Sequence, residues 1–138
     1  MGTEFTENQA KKMHGEYLKK EKILNDLAKP IGYDILVFRG QETIQHDNQE
    51  GTLIDLKLFT STSLGLGPSL GYGEGKYIYE IGIKKDVPLI QYLQQGKNKK
   101  EVELTIPTES QAKEIGNRSI NNINIISAVL TKVNNKKV

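Results

Sequence analysis

The 138-residue chain contains no cysteine. Disulfides, thiolate nucleophiles and thiolate metal sites are therefore excluded. It has no long apolar run, so no transmembrane helix is expected, and no signal peptide is legible. Histidine is scarce: His14 falls in a helical pattern and His46 in a polar loop. Neither has a partner at metal-ligand spacing, and both read as surface or boundary residues. A net charge of +2 is too small to argue nucleic-acid binding. The scarcity of arginine says more, since only Arg39 and Arg118 occur among 19 basic residues. Lysine and arginine serve equally as solvated charge, but only guanidinium offers a rigid fork to phosphate or carboxylate. Arg39 therefore stands out as a candidate anion ligand.

What is present fits one α+β domain spanning residues 1–138, with 36% hydrophobic and 26% charged residues. The opening MGTEF reads as a cloning scar, because Gly-Thr and Glu-Phe are what two common restriction sites encode. Residues 6–29 read as a helix. Thr6 and Gln9 fit a capping box, and Ala10, Met13, Tyr17, Leu24, Leu27 and Ala28 form an apolar stripe. Pro30 and Gly32 stop it.

Strands are expected next. DILVF (34–38) suits a buried strand that ends in Arg39-Gly40. ETIQHDNQEG reads as loop, and GTLIDLKLFTSTS as β-prone sequence running into hydroxyl residues. LGLGPSLGYGEG is a glycine-rich loop, and KYIYEIGI alternates as a strand. DVPLIQYLQQG fits either a strand or a short helix, and GKNKK is an exposed basic turn. EVELTIP (101–107) alternates, with Val102, Leu104 and Ile106 on one face and Glu101, Glu103 and Thr105 on the other. TESQAKEIGN suits a short helix opened by Thr108, INIISAVLTKV a last strand, and 134–138 a frayed tail. No repeat or linker interrupts this order.

Four stretches bear on chemistry. GYGEGK fails as a P-loop, because Leu70 sits where the first glycine belongs and Tyr77 follows Lys76. It also fails as a dinucleotide fingerprint, because a strand rather than a helix follows. VFRG places a cation at the end of an apolar strand. FTSTS supplies short hydroxyls with no nearby base, which suits orienting another group better than nucleophilic attack. Glu101 and Glu103 are paired carboxylates, which divide labour when one stabilises positive charge and the other moves a proton.

Taken in order, VFRG (37–40), FTSTS (59–63) and EVELTIP (101–107) resemble the mono-ADP-ribosyltransferases, more narrowly their Arg-Ser-Glu branch of clostridial actin-modifying toxins and related bacterial effectors. The resemblance covers residues 33–133. It implies a compact α+β fold of two packed, mainly antiparallel sheets around an NAD cleft, with an N-terminal helix. By position, Arg39 would hold the NAD phosphates and Gly40 the nicotinamide carboxamide. Ser61 would orient Glu103, while Thr62 and Ser63 shape the cleft. Glu103 would grip the nicotinamide ribose and stabilise an oxocarbenium-like transition state. Glu101 would receive a target arginine, Tyr92 would contribute to target recognition, and Tyr72 offers the only ring to cover NAD.

The implied activity is NAD-dependent transfer of ADP-ribose to a protein arginine, with no metal. An NAD glycohydrolase and a non-enzymatic binding module on the same fold are the alternatives. A monomer acting on a protein partner is expected, without membrane or nucleic acid. The implied setting is a bacterial or phage protein, secreted or delivered into a target-cell cytosol.

Overall fold

The computed structural model describes residues 6–65, 76–94 and 101–138, with backbone alone at 92–94 and 101–102. MGTEF, most of the glycine-rich loop with Tyr72, and the GKNKK turn lie outside the described residues.

The chain opens on α1 (Glu7–Asp26). Thr6 starts it with the expected capping box: Gln9 N donates to Thr6 Oγ1 over 3.1 Å, and Thr6 N to Gln9 Oε1 over 2.9 Å. The apolar stripe behaves differently from expectation. No α1 residue is buried, and Met13, Tyr17 and Leu24 are exposed. Amphipathic spacing shapes a face but does not supply the surface to cover it. The helix is instead fastened by polar contacts at its last turn. Asn25 Nδ2 donates to Thr108 Oγ1 over 2.9 Å, Thr108 Oγ1 to Glu21 Oε1 over 2.9 Å, and Thr108 N to Asn25 Oδ1 over 3.2 Å. Among the described residues no helix is long and apolar enough to cross a membrane.

Ten strands follow: β1 (Lys29–Pro30), β2 (Ile35–Gln41), β3 (Leu53–Leu56), β4 (Thr60–Ser63), β5 (Tyr77–Ile83), β6 (Pro88–Gln94), β7 (Glu101–Ile106), β8 (Ser110–Ile120), β9 (Ile123–Val133) and β10 (Lys136–Lys137). Their order is β1-β6-β7-β4-β2-β5-β9-β8-β3, with β10 paired to β9. Among the described residues only β5 and β9 run parallel. The two expected sheets are thus one hydrogen-bonded path. The link between its halves is slender, which accounts for the difference. β2 and β4 share the single pair Phe38–Ser63, whereas β2 and β5 share seven and β4 and β7 share four. The sheet is continuous, and its narrowest pairing, the seam, lies between β2 and β4.

Alternation builds the core on one face. Val37, Tyr79, Ile81, Leu104, Ile106, Ile126 and Ala128 are buried there. Three sequence expectations are corrected. Arg39 and Gly40 lie inside β2 rather than past its end. The segment read as a helix from Thr108 is the strand β8, because it pairs on both sides, with β3 and β9. Tertiary pairing overrides local helix preference here. The tail is not frayed, since Lys136 and Lys137 pair with β9. Both C-terminal hairpins turn on Asn pairs with positive φ, Asn121-Asn122 at 51° and 66° and Asn134-Asn135 at 48° and 64°. A type I′ turn needs that conformation at both central positions, and asparagine tolerates it.

Candidate active site

β7 carries two unlike faces. Leu104 and Ile106 enter the core, while Glu103 and Thr105 belong to the opposite face. Register fixes their neighbours. Ser63 lies across from Glu103, Ser61 across from Thr105, and Tyr92 across from Glu103 on the other side. Side chains directly opposite in a ladder have Cβ atoms about 4.5–5.5 Å apart, and diagonal ones about 7–8 Å. Ser61, Ser63, Glu103 and Thr105 therefore form one polar group beside the seam. Ser63, rather than Ser61, is the direct neighbour of Glu103. Ser63 Oγ also donates to Gly65 O over 2.7 Å. Glu101 occupies the register position opposite Gln94, two residues before Glu103 on the same strand.

Thr62 points the other way. It is buried, and its Oγ1 donates to Leu104 O over 2.5 Å. That bond ties β4 to β7 from the core side, so Thr62 supports the strand rather than lining the Glu103 face. Gly40 is buried within β2, opposite Ile78.

Arg39 bridges the seam. Its Nη1 donates to Ser61 O over 2.9 Å. With the Gln41 amide turned so that its oxygen faces the guanidinium, that oxygen accepts from Nε at 2.8 Å and Nη2 at 3.3 Å. Three of the five guanidinium N–H groups are thus held by neutral oxygens. Among the described residues no carboxylate pairs with Arg39. Sequence reading singled out Arg39 but missed Gln41, which two-residue spacing on a strand places on the same face.

A cavity of about 690 Å³ opens beside this arginine, lined in part by Arg39, Gln41, His46, Phe59, Thr60 and Tyr79. It lies on the core side of the seam and does not include Glu103. Arg39 is the shared element, one wall of the cavity and bonded to the backbone of Ser61. Tyr79 stands across from Arg39 in the β2–β5 ladder. Burial pushes its hydroxyl up to about 12, opposed by the Arg39 charge and reinforced by Glu114. Tyr79 is therefore a proton donor at neutral pH, and its oxygen lies 2.6 Å from His46 Nε2. His46 Nδ1 lies 2.8 Å from Asp47 O, which only accepts. Nδ1 therefore carries a proton and donates to that carbonyl. His46 is a built-in member of the cavity wall rather than a bland surface residue.

Glu114 was also missed. It is wholly buried on β8, where it accepts from Asn117 Nδ2 over 2.9 Å. Its backbone exchanges bonds with Gly51 N and Thr52 O, each 2.8 Å, and so anchors the turn that leads into β3. The second arginine, Arg118, sits elsewhere, in an ion pair with Glu80. Among the described residues no group of three or more His, Asp or Glu side chains is placed to hold a metal ion.

No family model matches the sequence, and no curated protein is similar to it in sequence. Solved structures are similar in fold. C3larvin, an ADP-ribosyltransferase toxin from Paenibacillus larvae, superposes with a TM-score of 0.63 at 16% identity, over 94% of this chain and 74% of that one. The ATR domain of Salmonella SpvB gives 0.64 at 17% identity, over 92% and 76%. Exoenzyme S from Pseudomonas aeruginosa, solved with human 14-3-3 protein beta and carba-NAD, gives 0.57 at 18%, over 93% and 61%. The chain has the fold of the bacterial mono-ADP-ribosyltransferase toxins. At these identities the likeness is one of fold.

Proposed function

We propose that the protein transfers ADP-ribose from NAD to an arginine side chain of another protein. The observation that carries this reading is the meeting, at one seam, of an arginine that has no carboxylate partner among the described residues with the backbone of β4, the strand whose Ser61 and Ser63 stand beside Glu103. The fold likeness to ADP-ribosyltransferase toxins supports it, as does carba-NAD in the exoenzyme S complex.

NAD enters as a substrate with an anionic pyrophosphate. Arg39 suits that anion, because its charge is unanswered and two of its N–H groups are uncommitted among the described residues. Gly40 offers backbone to the nicotinamide carboxamide. As the glycosidic bond breaks, its electron pair leaves with nicotinamide and positive charge builds on the ribose. Glu103 stabilises that charge, and the Ser61 hydroxyl holds the carboxylate. A guanidinium nitrogen of the target then bonds to the ribose carbon. It is protonated in water, so it needs a base to become nucleophilic, and Glu101 takes that proton. Tyr92 would contact the target, and Tyr72 would cover NAD.

The test is incubation with NAD and agmatine, following free nicotinamide, free ADP-ribose and the agmatine adduct. Adduct formation is expected. Glu101→Ala should lose the adduct while keeping nicotinamide release. Free ADP-ribose with no adduct from the native chain would instead identify an NAD glycohydrolase, and NAD binding without turnover a binding module.

A further inference from the structure

Thr105 shares the Glu103 face, yet the chemistry above gives it no task. It is 6% exposed, and among the described residues its hydroxyl is a buried side-chain atom with no hydrogen-bond partner. Folded chains pair nearly all such atoms, because an unpaired one has lost water and gained nothing. The neighbouring buried hydroxyls obey the rule. Thr60 donates to Leu58 O, Thr62 to Leu104 O and Ser110 to Pro107 O. A valine would fill the same space at Thr105 without the cost.

The missing partner is close at hand. Ser61 is the residue directly across from Thr105, and its side chain is exposed. A change of one side-chain rotamer is enough to turn the Ser61 hydroxyl toward Thr105. We propose that Thr105 is a positioning residue whose hydroxyl donates to Ser61 Oγ in the NAD-loaded site, directing the Ser61 hydrogen onto the Glu103 carboxylate. The donor count closes. Thr105 gives one hydrogen, Ser61 accepts it and gives its own, and the carboxylate only accepts. Such a chain strengthens each of its bonds in a site cleared of water. The inference rests on the transferase reading above.

Thr105→Val and Thr105→Ser, compared with the native chain for nicotinamide release and thermal unfolding, test it. Thr105→Val should unfold no earlier than the native chain, because an unpaired buried hydroxyl has been removed. Its kcat should fall about tenfold, the worth of one hydrogen bond, with KM for NAD changed less than about twofold. Thr105→Ser should restore most of the kcat. An unchanged kcat in Thr105→Val overturns the proposal. Earlier unfolding of that variant also overturns it, because the hydroxyl is then satisfied in the free fold. A rise in KM alone would make Thr105 a substrate contact and overturn the relay. A native chain that turns over no NAD defeats the transferase reading and this role with it, whereas failure in the variants alone defeats only the role.

Discussion

The surroundings of the two arginines differ in kind. Arg118 Nη2 lies 3.1 Å from Glu80 Oε2, and Ser127 Oγ sits 3.2 Å from its Nη1 while donating to Glu80 Oε1 over 3.0 Å. Its charge is answered by a carboxylate. Arg39 is held as firmly, but by the Ser61 carbonyl and the Gln41 amide. Neutral acceptors fix a guanidinium without cancelling its charge. An anion approaching Arg118 must displace Glu80, whereas one approaching Arg39 displaces no charged partner among the described residues. The same side chain is thus a structural tie at Arg118 and, in the proposed reaction, an anion receptor at Arg39, and the partner decides which.

Three substitutions sharpen that comparison. Arg39→Ala should lower kcat/KM for NAD about a hundredfold, the scale of lost charge-assisted hydrogen bonds. Arg118→Ala should leave turnover within about twofold and cost roughly 1 kcal/mol of stability at most, because the pair is solvent-screened. Steady-state kinetics and urea unfolding of both variants check this, and similar kinetic losses in the two would erase the distinction. Gln41→Glu would give Arg39 a carboxylate of its own. A KM for NAD raised about tenfold, with kcat little changed, is expected. An unaltered KM would mean the charge of Arg39 does not bind the substrate.

A fourth substitution concerns Tyr79, opposite Arg39. Its hydroxyl titrates near 12 in the folded chain against 10 for the ordinary group. The folded state therefore holds this proton more tightly than the unfolded state. The stabilisation is fully present below pH 10 and is lost as pH rises through 12, by about 3 kcal/mol. Unfolding midpoints at pH 9 and 11 should diverge more in the native chain than in Tyr79→Phe.

Much of the fold was legible because its signals are local. The capping box at Thr6 and Gln9 and the alternation in EVELTI needed no partner to be read. The positive-φ Asn pairs at 121–122 and 134–135 were legible too, and reading them as hairpin turns would have recovered β8 and β10. The seam was not legible, since the number of pairs two strands share is a property of the whole sheet. Nor was the burial of Glu114, whose side chain sits in helix-prone sequence and is satisfied by Asn117 and by the Asn48 amide turned toward it. The α1 stripe shows the reverse failure, a local pattern with no tertiary surface against it. Of the candidate site, the ordered motifs named Arg39, Ser61 and Glu103, but Gln41, His46 and Tyr79 join Arg39 only through chain neighbours brought together by folding.

The central claim is that Glu103 stabilises positive charge on the NAD ribose. Nicotinamide release by Glu103→Gln, a substitution that keeps shape and removes charge, tests it most directly. The account predicts a kcat lowered at least about a hundredfold, with NAD binding and thermal unfolding close to those of the native chain. A Glu103→Gln variant that releases nicotinamide at the native rate would contradict it.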